Sequence, residues 1–194
     1  MVRGLNRRNV FINCPFDGRY TPLFRAIVFV VYDCGFIPRC ALELEDSSRV
    51  RIDKILNLIS ACRFGIHDIS RTSLDATTHL PRFNMPFELG LFLGAERFGG
   101  SGVEPEYCLI LDRHRYRYQK FLSDISGQDI VGHGNKADRV IAAVRNWLRS
   151  SSGQMLPGGA DISRRYRRFR MELPKLCRGF GHLCVKITCS KSWS

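Results

Sequence analysis

Residues 9–34 read NVFINCPFDGRYTPLFRAIVFVVYDC, and this stretch decides the fold. Val10, Phe11 and Ile12 are strand formers, and Pro15 stands at the end of their run, where it removes no central ladder bond. Asn9 to Phe16 therefore reads as a first strand, and Asp17 and Gly18 turn the chain. From Tyr20 to Cys34 the apolar positions Leu23, Phe24, Ile27, Val28, Val31 and Tyr32 recur at three- and four-residue spacing, with Pro22 in the first turn. This spacing predicts a helix, which Gly35 ends.

Working outward, Phe36 to Leu44 reads as a second strand, and Ser47 or Ser48 caps a helix whose stripe is Ile52, Ile55, Leu56, Ile59 and Cys62. Phe64 to Ile69 is a third strand with Asp68 near its carboxyl end. A loop of roughly a dozen residues follows, longer than most connections in compact domains. Pro86 to Phe98 reads as a helix, Tyr107 to Leu111 as a wholly apolar strand, and Tyr116 to Ile125 as helical. Asp129 to Val131 is a short strand, and Ala137 to Leu148 an amphipathic helix. Alternating strands and helices with buried strands predict an α/β fold: a flavodoxin-like parallel sheet of about five strands with helices on both faces.

Residues 1–150 make up this domain, and the Ser- and Gly-rich stretch at 151–160 reads as a linker. Residues 161–194 form a basic tail, outside the core, whose helix is capped by Asp161 and stopped by Pro174. The tail holds nine Lys and Arg against Asp161 and Glu172, so +7 of the net +12 lies there. That charge suits phosphates, nucleic acid or an acidic protein partner, or a merely solvated face. The Arg residues at 164, 165, 167, 168 and 170 are expected to form a broad collar.

Hydrophobic residues at 44% and charged residues at 25% match ordinary globular usage and exclude a wholly disordered chain. No apolar run approaches the roughly 18 residues a membrane span needs, and the start lacks a signal-peptide pattern, so a cytoplasmic protein is expected. Cys14, Cys34, Cys40, Cys62 and Cys108 sit in apolar strand or helix patterns, as free buried thiols do. Cys177, Cys184 and Cys189 flank His182 at spacings that fit no usual zinc module, so no metal is expected. No phosphate-cradling G-x-x-x-x-G-K-S/T loop and no G-x-G-x-x-G follows any strand, which leaves NTP hydrolysis and dinucleotide redox chemistry without support.

In open α/β sheets, ligands bind outside the carboxyl ends of the strands. Three loops deliver polar groups there: Asn13, Phe16 and Asp17 after the first strand, Glu43, Glu45 and Asp46 after the second, and His67, Asp68, Ser70 and Arg71 after the third. Glu88 stands near the start of the third helix, where the dipole favours a carboxylate. Asn13 and Asp17 are also good turn residues, and a strand-end Asp68 also suits a turn. His67 is adjacent to Asp68 on a strand and points to the opposite face, which reads as a core histidine. The run His114, Arg115, Tyr116, Arg117, Tyr118 interleaves bases with aromatics, as a phosphate-binding edge or a solvated helix start.

FINCPFD at Phe11 to Asp17 resembles the first strand and loop of TIR domains. NMPFELGLFLGA at Asn84 to Ala95 resembles the E-L-G helix of TIR-like NAD-cleaving domains and nucleoside 2-deoxyribosyltransferases. The resemblance implies a hydrolase that cleaves the N-glycosidic bond of NAD or a related nucleotide, with NAD as substrate and no separate cofactor. Glu88 and Asp68 would be catalytic, and Asn13, Phe16, Asp17 and Asn84 would bind substrate, Phe16 by stacking on the base. Self-association and a setting in stress or phage defence also belong to what it implies. Cys14 and Pro15 depart from the serine- or tyrosine-rich opening turn of TIR domains. The alternatives are base exchange and a non-catalytic nucleotide-binding signalling module.

Overall fold

The computed structural model describes residues 6–43, 50–72, 74, 79–98, 107–128 and 130–180. Five strands, β1 (Asn6–Asn13), β2 (Ile37–Cys40), β3 (Cys62–Asp68), β4 (Tyr107–Asp112) and β5 (Ile130–Gly132), form one sheet in the order β2-β1-β3-β4-β5. Every neighbouring pair is parallel, so the fold is the flavodoxin-like α/β arrangement. The first three crossovers supply α1 (Thr21–Asp33), α2 (Arg51–Ser60) and α3 (Asn84–Phe98), and α4 (Ala137–Ser152) and α5 (Gly159–Phe180) follow β5. Among the described residues no helix is long and apolar enough to cross a membrane.

Strand alternation assigns the two faces. Val10 pairs with Phe64 and Ile12 with Ile66, and all four face a core completed by α1, α4 and α5. Phe11 faces the other side, where Ile55, Ile59 and Phe92 cover it from α2 and α3. Gly65 opposes Phe11 in the register, and a Cβ there would come within 2.6 Å of the Phe92 ring. Glycine at this position lets α3 lie close on the sheet. Gly35, at φ +82°, reverses the chain out of α1 without the strain a side chain would bring.

Two stretches differ from the sequence reading. The Tyr116 to Ile125 stretch is not one helix but two short 3₁₀ turns, Arg117–Lys120 and Ser123–Ile125. The second strand is shorter than expected, and Ala41–Glu43 coils into a 3₁₀ turn whose Glu43 carboxylate accepts hydrogen bonds from the Cys40 N–H and Arg39. The Ser47 and Ser48 cap and the acidic residues Glu45 and Asp46 lie outside the described residues, as do His182, Cys184 and Cys189. Cys14 and Cys34 are free thiols, and Cys14, Cys34, Cys40 and Cys62 are buried.

The larger correction concerns the tail helix, which is part of the core. Ile162 and Tyr166 are buried with α1 and α4, and the Tyr166 hydroxyl donates to the Pro22 carbonyl at 3.0 Å. Phe29 packs on the rings of both Tyr166 and Phe169. Arg165 forks onto Asp33 at the end of α1, with Nε 2.9 Å from Oδ1 and Nη2 2.6 Å from Oδ2. Arg145 Nε donates to the Pro157 carbonyl at 2.9 Å and so pins the connection to α4. Pro174 does not stop the helix, which continues to Phe180. Leu173, buried on the inner face, anchors the turn just before the proline, where a backbone N–H is missing.

Replacing Tyr166 with Ala should therefore cost about 3 kcal/mol or more, the range for deleting a buried aromatic ring, and Tyr166→Phe only about 1 kcal/mol for one hydrogen bond. Denaturant unfolding of the two variants measures both. A Tyr166→Ala protein as stable as the parent would place α5 outside the cooperative unit.

Candidate functional site at the carboxyl edge of the sheet

The chain leaves β1 toward β2 on one side and later crosses to β3 on the other, so the carboxyl ends of β1 and β3 flank the switch point of the sheet. Asn13 and His67 are register partners there, with Asp68 next in line. The expected alternation holds: His67 packs against Phe11 and Phe92 on the α2/α3 side, while Asp68 meets Tyr20 of the loop before α1. The two side chains do not act together.

Asp68 is fully buried, and three segments meet at its carboxyl group. The Tyr20 hydroxyl donates to Oδ2 in a short hydrogen bond, and the Ser70 N–H donates to Oδ1 at 2.8 Å. His133, after β5, brings Nε2 within 3.1 Å of Oδ2. Its Nδ1 accepts the Asn135 N–H at 2.9 Å, which leaves the ring proton on Nε2, toward Asp68. That contact is close but off-line: Nε2 lacks a hydrogen bond of good geometry, so its attraction to the carboxyl group is mainly electrostatic. Burial, followed by the nearby Asp68 carboxylate, pushes the Tyr20 hydroxyl well above its ordinary pKa, so it stays a donor.

Asn13 is equally buried, and its Nδ2 donates to the Met85 carbonyl at 2.8 Å and to His67 Nδ1 at 3.1 Å. It braces the first turn of α3 against the strand. His67 is neutral, since burial lowers its pKa to about 3, and its Nε2 has no hydrogen-bond partner among the described residues.

α3 begins at Asn84, two residues earlier than the sequence pattern indicated, so Glu88 lies in its second turn rather than its first. The helix dipole thus contributes less there than expected. Glu88 is 7% exposed, and its carboxylate makes no hydrogen bond to another described residue. Burial raises its pKa, with Arg51 at the start of α2 partly opposing the rise. Cys14 has a buried thiol that is pushed well up by desolvation and then by Asp68, Cys40, Glu88 and Asp17. It is a neutral thiol among carboxylates.

The other expected site residues separate. Asp17 Oδ1 accepts the Arg19 and Tyr20 N–H groups at 3.0 Å each, and Oδ2 accepts Arg71 Nη2 at 2.7 Å. Burial opposes its ionisation, but these hydrogen bonds outweigh it and hold the pKa low. Asp17 thus starts α1. Phe16 is 37% exposed and packs edge-on against Phe24 at 5.4 Å, while Asn84 is exposed on the first turn of α3. Arg117 is no free phosphate contact: it grips Asp112 Oδ1 at 2.6 Å, Thr72 Oγ1 at 2.8 Å and the Ile69 carbonyl at 2.9 Å. Asp112 is buried with Oδ2 unpartnered among the described residues, and burial raises its pKa against the pull of Arg117. A groove of about 480 Å³, lined by Arg145, Arg149 and Gln154, lies at the far end of α4, away from this edge.

Tyr20, His133, Asp112 and Arg51 were missed in the sequence reading. Asp112 carried a usable signal, because a carboxylate ends β4 just as Asp68 ends β3. His133 stands between two glycines directly after β5, a second hint. Among the described residues no three His, Cys, Asp or Glu side chains are grouped to hold a metal ion.

Two opposite pH dependences follow. Glu88 has a raised folded pKa, so its protonated form is favoured in the fold and stability is lost as pH rises through that value. Glu88→Gln should exceed the parent in stability at neutral pH, with the gap closing on acidification. His67 has a lowered folded pKa, so stability is lost as pH falls from about 6.5 toward 3, and His67→Gln should reduce that loss. Urea unfolding across this range measures both, and pH-independent gaps would contradict the burial of these groups.

In comparisons with known proteins, no family model and no curated protein matches the chain.

Proposed function

We propose that this chain is an enzyme of the TIR-like type that cleaves the N-glycosidic bond of NAD or a related nucleotide, with Glu88 as its catalytic carboxylate. The observation that carries this reading is Glu88 itself. It is a largely buried carboxylate without a hydrogen bond to another described residue, on the helix that borders the carboxyl edge of a parallel sheet. A carboxylate of that kind costs stability, and such costs concentrate where a group has chemical work.

In this reaction the C1′–N bond breaks and its electron pair leaves with the base. Positive charge grows on the ribose, and the Glu88 carboxylate stabilises it or bonds to C1′ before water adds and gives up a proton. Arg51, exposed beside Glu88, offers a cation for the phosphates. Asp68 acts from behind: buried under Tyr20 and His133, it is a positioning residue rather than a substrate contact. Asn13 similarly holds the start of α3, and therefore Glu88, in place. A cytoplasmic role as a stress or phage-defence effector fits the depletion of NAD that this chemistry produces.

Incubation with NAD and with deoxynucleosides, followed by chromatography for free base, tests the reading. Glu88→Gln should lower base release at least about a hundredfold, the low end for one electrostatic catalytic group. Because only the ionised carboxylate serves, the rate should fall on acidification at a higher pH than an ordinary glutamate would give. Base release at the parent rate by folded Glu88→Gln protein would sink the assignment. Transfer of the sugar to an added base would identify exchange, and nucleotide binding without cleavage would identify a signalling module.

A further inference from the structure

The packing of α5 converts a diffuse basic segment into an ordered surface. Ile162, Tyr166, Phe169 and Leu173 recur at helical spacing and face α1 and α4. Arg165 turns aside to Asp33. On the opposite side, Arg164, Arg167, Arg168, Lys175 and Arg178 fall within roughly 100° of arc at 3.6 residues per turn, and all five are exposed. They form a stripe about 21 Å long at 1.5 Å per residue. The expected broad collar thus narrows to this row, with exposed Arg170 about 60° to one side of it, because the packing removes one face of the helix and Asp33 engages one arginine.

We infer that this stripe is a binding surface for the phosphate backbone of duplex nucleic acid, independent of the small-molecule site proposed for the sheet edge. Charge selects the partner class: five cations stand against two nearby acids, with Arg164 paired to Asp161 and Arg168 to Glu172 in exposed contacts. Such exposed pairs are weak and salt-screened, so a phosphate can take over either arginine. A protein interface needs an apolar centre, and the stripe offers only Met171, 72% exposed. A membrane-lying helix needs a free apolar face, and that of α5 is packed on α1 and α4. Single strands are held largely by stacking on aromatic rings, but Tyr166 and Phe169 face inward. What remains suits phosphates approached from one side, without reading of base edges.

The test uses the full chain and fluorescence anisotropy with a labelled duplex and a labelled single strand across salt concentrations, with anionic vesicles and polyglutamate as separate arms. The duplex should bind at low salt with little sequence preference, and log affinity should fall against log salt by about 0.9 for each phosphate neutralised. Changing Arg164, Arg167 and Arg168 together to Gln should flatten that slope by about two to three. Arg165→Gln, off the stripe, should leave the slope unchanged, and circular dichroism confirms that both variants fold. Absence of duplex binding at low salt overturns the inference, as does preference for single strand, vesicles or polyglutamate over duplex. Equal slopes for the triple variant and the parent overturn it as well.

Discussion

A carboxyl group with no access to water must find its partners inside the protein, and Asp68 draws hydrogen bonds from Tyr20 and from Ser70 two residues on, and an electrostatic contact from His133. Tyr20 precedes α1, Ser70 opens the loop out of β3, and His133 follows β5. The carboxyl edge of the sheet is therefore closed on the α1/α4 side by a polar junction rather than by apolar contact. Asn13 does the corresponding work on the other side by joining His67 to the first turn of α3. Glu88 stands near this edge in a partly desolvated setting.

This division explains why two carboxylates at one edge have different parts. Asp68 is surrounded by donors and has no exposure, which suits it to fixing positions. Glu88 has no such bonds to described residues and a little exposure, which suits it to meeting a ligand. Asp112 repeats the first pattern one strand away, where Arg117 ties β4 to the loop after β3. Three carboxylates thus face the same desolvation problem, and the presence or absence of a local partner decides the outcome.

Much of this architecture was legible in the residues. Val10 to Ile12 and the α1 stripe announce a strand and a helix because strand propensity, helical spacing and the Gly35 stop agree. The pairing of Tyr20 with Asp68 was not legible, since it joins positions 48 residues apart through a fold that must first form. The helix that carries Glu88 was legible but its start was not, because Pro86 fits the first turn of a helix starting at Asn84 as well as it fits a start of its own. The α5 stripe of Ile162, Tyr166, Phe169 and Leu173 was visible as spacing but hidden by the density of arginines around it. Pro174 reinforced that error, because a proline penalty is local and the packing of Leu173 is not.

The Asp68 junction, rather than independent local turns, holds the sheet edge together. A double-mutant cycle of Tyr20→Phe and Asp68→Asn, read by denaturant unfolding, tests it most directly. The two changes should couple by about 1 kcal/mol or more, because each removes part of one buried hydrogen bond. Effects that add within about 0.3 kcal/mol would mean that the two side chains stabilise the protein separately, and would contradict it.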